Sequence, residues 1–304
     1  PAPPVNKIFF FIKNIINKLL FRITSLKENK KIVLTGSTGY IGKNLLKNLS
    51  SLKENIIITK RDSETQYDFY SLDNKIFELS QFGDSEIILI HLATFFSKDK
   101  QDIKKIHYAN IDFGKDVVTK LNEFNLKKVI YTNTMYCFYD DSQIRNLEYT
   151  KSKLIFSEFL KNLTGKKSFL FEEIFLDNSF GNIDNRPKII PLIMQAIVSD
   201  QKNPIKNEHA FINLVHINKI VERLITSINN EEIGSSAFLS SFSVNLQSIY
   251  NFLIKYKISH EIDNNLIIKR SNNYINSHPK IELKNIPLGN LSYDLINELK
   301  NYES

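Results

Sequence analysis

Lys31-Ile-Val-Leu-Thr35-Gly36-Ser37-Thr38-Gly39-Tyr40-Ile41-Gly42 decides the fold. The apolar run that opens it has the pattern of a strand buried on both faces. A helical pattern follows as far as Leu49. Three of the chain's nine glycines fall within the seven residues of the turn. Gly36 permits a tight turn, Gly39 lets a pyrophosphate approach the backbone, and Gly42 lets helix and strand pack closely. The helix N-terminus, with its unsatisfied N–H groups, then faces the negative charge. Gly36, Ser37, Thr38, Gly39, Tyr40, Ile41 and Gly42 are therefore predicted to hold a dinucleotide. The strand–turn–helix context gives the glycine triplet that meaning.

Outward from this turn, residues 56–59, 87–90, 128–132 and 168–174 read as strands, and 106–124 and 152–163 as helices. Such alternation predicts an α/β fold, a doubly wound parallel sheet covered on both faces. Beyond Gly181 the order loosens, with helices predicted at 189–199, 217–228 and 291–299. The expected division is an N-terminal extension (1–29), a nucleotide-binding domain (30–175) and a smaller substrate lobe (176–304), part of 212–240 returning to the first domain.

The chain's 304 residues, 42% of them hydrophobic, suffice for a full core. A lone cysteine, Cys137, excludes an internal disulfide and suits a reducing, cytoplasmic compartment. The net charge of +7 is spread along the chain, with no basic block interleaved with aromatics. That pattern suits nucleotide phosphates better than nucleic acid. Residues 5–26 combine an apolar helical stripe with Lys7, Lys13, Lys18 and Arg22. Cations at that spacing exclude a spanning helix, and no small-residue cleavage site suggests a secretory signal. The stretch reads either as a basic amphipathic helix on the inner face of an anionic membrane or as a helix packed on its own domain or a second subunit.

Two further patterns carry chemistry. Thr59-Lys60-Arg61 ends the second strand where an enzyme using NAD would carry an acidic residue for the ribose hydroxyl. The cations Lys60 and Arg61 favour a 2′-phosphate, hence NADP over NAD. Of 13 tyrosines, Tyr149 alone has a lysine four residues on, Lys153. That spacing puts both side chains on one helix face. A phenol, with pKa about 10, exchanges protons poorly at neutral pH; a neighbouring ammonium favours the phenolate and draws that value down. Tyr149 would then give a proton to a carbonyl oxygen, which Thr134, from the strand end Thr132-Asn-Thr134, would also hydrogen-bond. Lys153 would also hold the nicotinamide ribose.

These motifs resemble the extended short-chain dehydrogenase/reductase family (NAD-dependent epimerases and dehydratases), whose members modify nucleotide sugars. The resemblance covers most of residues 30–299 and includes the Gly-x-x-Gly-x-x-Gly turn and Tyr-x-x-x-Lys. It also includes His91-Leu92-Ala93-Thr94, Asn110, Asn178-Ser-Phe-Gly181, Lys188-Ile-Ile-Pro191 and Pro287-Leu-Gly289. Within the family, Ile90-His-Leu-Ala-Thr94 and Asn133-Thr134 look most like the CDP-abequose and CDP-paratose synthase group. The resemblance implies cofactor contacts at Leu92, Ala93, Thr94, Asn110, Tyr149 and Lys153, and a structural part for His91. It implies substrate contacts at Thr94, Thr134, Asn178 and Lys188, catalysis by Thr134, Tyr149 and Lys153, and a homodimer.

Three positions depart from the family pattern. Phe175, Ile212 and Asn218 or Lys219 stand where the family carries an Arg, an Arg and an Asp, and Arg186 or Lys188 is the candidate replacement for the missing charge. The remaining candidates carry bland readings. His209 and His216 lack ligand neighbours, so no metal is expected; Cys137 reads as a buried thiol. The implied reaction is NADPH reduction of the 4-keto group of a nucleotide-linked deoxyhexose, CDP-linked 3,6-dideoxyhexose first, for the O-antigen of bacterial lipopolysaccharide. Its rivals are an NAD-dependent nucleotide-sugar 4-epimerase and a non-catalytic NADP-binding regulator. A 4,6-dehydratase is disfavoured, since Met135-Tyr136 replaces the Asp-Glu pair of that subgroup.

Overall fold

The computed structural model describes residues 29–61, 66–139, 141–164, 169–182, 184–240, 242–262, 265–270, 282–286 and 291–303. The N-terminal amphipathic stretch and Pro287-Leu-Gly289 lie outside them. Among the described residues, no helix is long and apolar enough to cross a membrane.

In chain order the elements begin β1 (Lys30–Thr35), α1 (Tyr40–Asn48), β2 (Ile56–Arg61), β3 (Tyr67–Ser71) and β4 (Glu86–His91). Next come α2 (Ile103–His107), a π turn (Tyr108–Asp112), α3 (Phe113–Asn122), β5 (Leu126–Thr134), α4 (Ser142–Arg145), α5 (Glu148–Thr164) and β6 (Leu170–Leu176). The chain continues through β7 (Asn178–Phe180), α6 (Ile189–Val198), β8 (Phe211–His216), α7 (Ile217–Asn229), β9 (Gly234–Ser240) and β10 (Phe242–Asn245). It closes with α8 (Leu246–Ser259), β11 (Ile268–Arg270), β12 (Glu282–Ile286) and α9 (Leu291–Glu303).

The chain forms two compact units. The first comprises 29–137, Asp141–Ile174 and Val221–Gly234; the second comprises Phe138–Asp140, Phe175–Ile220 and 235–303. In the first unit the strand order is β6-β5-β4-β1-β2-β3. β1 runs parallel to β2 and β4, β4 runs parallel to β5, and β3 turns back, antiparallel to β2. This is a Rossmann-like sheet, and its order reverses beside β1. Ligands of such sheets sit there, at the carboxyl ends of β1 and β4. One face of the sheet (Val33, Ile57, Leu89, Val129, Tyr131) buries Phe113, Val117 and Leu121 of α3 and Phe156 and Leu160 of α5. Full burial of a side chain such as Phe156 contributes about 1.5–3 kcal/mol.

A buried ion network fixes β5, β6 and α7 within this unit. Glu172 accepts from Arg223 at 2.5 Å and from Ser227 at 2.9 Å, and its other oxygen lies 2.7 Å from the Lys128 ammonium. The second unit holds a mixed sheet, β11-β10-β8-β7, and a parallel pair, β9 and β12. Its core joins α6 (Ile193, Met194, Ile197), α8 (Ile249, Phe252, Leu253) and α9 (Leu295, Leu299).

The structure extends the sequence expectations at α5, β3 and α8, among other elements. α5 begins at Glu148, four residues earlier than the apolar periodicity suggests, so Tyr149 lies in its first turn. β3 was not expected, because its alternation is only five residues long and ends on a polar turn. Nor was α8, whose β-branched and aromatic residues weaken the helical pattern. It forms because Asn245 caps it, accepting from the Ser248 N–H at 2.9 Å, and Ile249, Phe252 and Leu253 bury one face.

Candidate active site

The glycine turn joins β1 to α1. Gly36 has φ +70°, and a Cβ there would lie 2.6 Å from the Ala93 nitrogen and 2.7 Å from the Leu92 carbonyl carbon. Only glycine lets the two strand ends approach so closely. A Cβ at Gly42 would run into the Gly36 carbonyl oxygen, which seats α1 against the turn. A Cβ at Gly39, by contrast, would meet only the Gly36 oxygen, at 3.2 Å. Gly39 is also the N-cap of α1, with no side-chain cap and no acidic residue in the first turn. The helix therefore presents its first N–H groups at an open place, which fits a dinucleotide phosphate.

His91 ends β4 as a strut. Its Nδ1 pairs with the Thr35 hydroxyl at 3.0 Å, and that hydroxyl accepts from the Ala93 N–H at 3.2 Å. Burial, with Lys153 nearby, pushes His91 down to about 3, so the ring is neutral. Asn110 lies in the π turn. Its oxygen accepts from Thr94 Oγ1 at 3.0 Å and the Phe95 N–H at 2.7 Å; its amide donates to the Phe95 carbonyl and Ser152 Oγ. Ser152 in turn donates to the Tyr149 carbonyl. Asn110 thus ties the segment after β4 to the first turn of α5.

Thr134, buried at the end of β5, accepts from the Tyr136 N–H at 3.2 Å, which leaves its hydroxyl oriented to donate. On α5, Tyr149 is half-buried and meets the Phe96 ring edge-on at 5.0 Å, with Tyr136 at 6.3 Å. Lys153, one helical turn on, is buried, and its ammonium lies 4.3 Å from the centre of the Tyr131 ring. Burial draws the lysine down to about 7, against the opposing charge of Glu173. Cys137 donates to the Thr134 carbonyl at 3.0 Å, and burial, with Glu173, pushes it up to about 12, too high for a nucleophile at neutral pH.

Lys60 and Arg61 do not form one clamp. They are consecutive residues of a strand and leave on opposite faces. Lys60 donates to Asn74 and lies 5.0 Å from the Tyr70 ring; Arg61 lies over Tyr108 and Phe113 at 5.6 and 6.0 Å.

The remaining predicted substrate residues belong to the second unit. Asn178 donates its N–H and its amide to Asp177, which also accepts from Tyr139 at 2.7 Å. Lys188 is the N-cap residue of α6, and its charge is felt by Asp177. Arg186 grips Asp184 with two bonds of 2.7 and 2.6 Å and also donates to Ser179. Its charge is thus paired with Asp184, itself 1% exposed. Gly181 packs against the His216 ring, whose Nε2 a Cβ would strike.

Glu173, Phe96 and Tyr136 escape motif reading: Asn133 links the Thr134 N–H to Glu173, and Phe96 and Tyr136 flank Tyr149. The signal for Glu173 is a charged pair inside an apolar strand, Phe171-Glu-Glu-Ile174.

A Rossmann-like sheet, an open glycine turn and a Thr/Tyr/Lys set on β5 and α5 are features of the short-chain class of nucleotide-cofactor proteins. The model of the NAD dependent epimerase/dehydratase family matches residues 32–235, more than half of the chain, and the chain belongs to that family. It is 24% identical over 186 residues to the CDP-abequose synthase of Salmonella muenchen, an alignment covering 58% of this chain and 62% of that protein. Solved structures share the fold. The UDP-N-acetylglucosamine 4-epimerase of Methanobrevibacter ruminantium, in complex with UDP-N-acetylmuramic acid, is 16% identical with a TM-score of 0.66, over 90% of this chain and 98% of that one. The UDP-glucuronic acid 4-epimerase of Bacillus cereus, in complex with NAD, is also 16% identical, with a TM-score of 0.64 over 90% and 96%.

Proposed function

We propose that this protein reduces the 4-keto group of a nucleotide-linked deoxyhexose with NADPH, a CDP-linked 3,6-dideoxyhexose being the first candidate, for a bacterial surface polysaccharide. The observation that carries the reading is the buried Lys153 one helical turn beyond Tyr149, with Thr134 at the end of β5 accepting a backbone N–H and so keeping its own hydroxyl hydrogen to donate. The bound nicotinamide would supply the hydride. Tyr149 gives its proton to the carbonyl oxygen, and Thr134 donates a hydrogen bond to that oxygen as charge develops. Lys153 holds the cofactor ribose and favours ionisation of the spent tyrosine. Met135-Tyr136 supplies no carboxylates for dehydration. Arg61 is the cation assigned to the 2′-phosphate, with Lys60 joining if it leaves Asn74. Lys188 and Asn178 contact the substrate, and the enzyme acts in the cytoplasm as a homodimer.

The test is cofactor consumption with CDP-, dTDP-, UDP- and GDP-linked 4-keto sugars. Stoichiometric NADPH oxidation with a CDP-linked 4-keto-dideoxyhexose is expected. Interconversion of two sugar nucleotides with no net cofactor consumption would replace the reductase with a 4-epimerase.

A further inference from the structure

Phe96 is 40% exposed, and a single exposed apolar ring needs no explanation by itself. Its neighbours give it one. The Phe96 ring meets the Tyr149 ring edge-on, with centroids 5.0 Å apart, and the Tyr136 ring at 6.4 Å. Tyr136 closes the triangle, 6.3 Å from Tyr149. Both flanking rings are set by backbone bonds. The Asn110 side chain accepts the Phe95 N–H at 2.7 Å and donates to the Phe95 carbonyl at 3.0 Å, which fixes the peptide units on either side of Phe95. The Tyr136 N–H donates to the Thr134 hydroxyl oxygen at 3.2 Å. Phe96 and Tyr136 thus stand at fixed places beside the two groups assigned to the carbonyl oxygen, and all four residues belong to the first unit.

We propose that Phe96 and Tyr136 are specificity-determining residues: their rings select a deoxygenated sugar by packing against the carbons on either side of C4. The proposal rests on the reading of Tyr149 and Thr134 as the groups that bind the 4-keto oxygen. An oxygen within hydrogen-bond distance of both brings C3 and C5 beside the rings. In a 3,6-dideoxyhexose C3 is a methylene and C5 bears a methyl group, so both bury apolar surface there. Hydrogens on carbons next to a carbonyl are electron-poor, which suits the negative face of an aromatic ring. In a fully hydroxylated hexose the same places carry oxygens. These lose water and gain no hydrogen bond from the Phe96 side chain. Apolar contact of this kind discriminates by about 10- to 100-fold, less than a site that hydrogen-bonds a hydroxyl.

The test is calorimetric binding, in excess NADPH, of sugar nucleotides whose C4 is already an alcohol, so that its outcome does not depend on turnover. The probes are glucose and 6-deoxyglucose linked to CDP, dTDP, UDP and GDP; each pair differs only by the oxygen on C6. Wild-type protein should bind the 6-deoxy member of the accepted pair about three- to ten-fold more tightly. Phe96→Ser should abolish that preference and leave affinity for the free nucleoside diphosphate unchanged. Phe96→Leu, which keeps apolar surface, should retain most of it, and Tyr136→Ser should reduce it. Equal affinities for the two sugars in the wild type, or a preference undiminished in both serine variants, overturns the proposal. If Phe96→Ser does not fold, Tyr136→Ser decides alone. Failure of every pair to bind overturns the nucleotide-sugar reading and the proposal with it. A ring-dependent preference for the deoxy sugar, with NADPH left unconsumed by every keto sugar, counts against the reductase alone.

Discussion

The end of the first unit that carries Gly36, Thr134, Tyr149 and Lys153 and the part of the second that carries Asn178, Arg186 and Lys188 follow different rules. In the first, each family motif is present and its neighbours serve it: Asn110 anchors the segment after β4, Asn133 holds Thr134, and Tyr131 lies against Lys153. In the second, the expected cations are gone. Phe175 is buried, and Arg186 is paired with Asp184. The contrast separates two demands. Hydride and proton transfer fix a few atoms within tenths of an ångström, so their supports resist change. Recognition of a nucleotide sugar is a sum of contacts that can be redistributed.

Four experiments bear on this contrast. The largest effect is expected from Tyr149→Phe, which removes the proposed proton donor and should lower turnover by about 10²–10⁴-fold with cofactor binding kept. Thr134→Val should cost less, and the two losses should not add, since both groups act on one transition state. Single-turnover NADPH oxidation reads both, and near wild-type rates in Tyr149→Phe would erase the distinction between the regions.

The next experiment sets Arg186 against Lys188. Arg186→Met strands the buried Asp184 carboxylate and should cost about 1.5–3 kcal/mol of stability in urea unfolding. Lys188→Ala should leave stability almost unchanged and raise KM with kcat preserved, the mark of a contact equal in ground and transition states. The reverse pattern would make Arg186 the substrate cation.

Cofactor choice sharpens the first region. If Arg61 reads the 2′-phosphate, Arg61→Ser should erase most of a preference for NADPH over NADH, about 1–3 kcal/mol by fluorescence titration. Lys60→Ser should matter less, because Lys60 leaves the opposite face of β2 toward Asn74. Equal affinities in the wild type would remove the NADP assignment altogether.

The smallest effect concerns Asp177. Burial, tempered by the Tyr139 hydroxyl, pushes its carboxyl up to about 6. A raised acid binds its proton more tightly when folded, so its favourable contribution is lost as pH rises from the unfolded value through 6. Asp177→Asn should leave stability unchanged below pH about 4 and raise it above pH about 6. A pH series of unfolding midpoints measures this.

The sequence alone determined the first region well. A glycine turn between strand and helix, and a Tyr and Lys spaced by one helical turn, are local patterns whose geometry follows from the backbone. Only the tertiary structure decided the rest. Lys60 and Arg61 read as one cationic pair, yet strand alternation sends them to opposite faces. Arg186 and Lys188 both read as cations near the substrate motif, yet Asp184, buried two residues before Arg186, pairs with it. Glu173 lies 39 residues from Thr134 in the chain and meets its support only because β6 pairs with β5. A sequence pattern records spacing along the chain. Burial and charge pairing depend on what the folded chain brings alongside, which spacing does not encode.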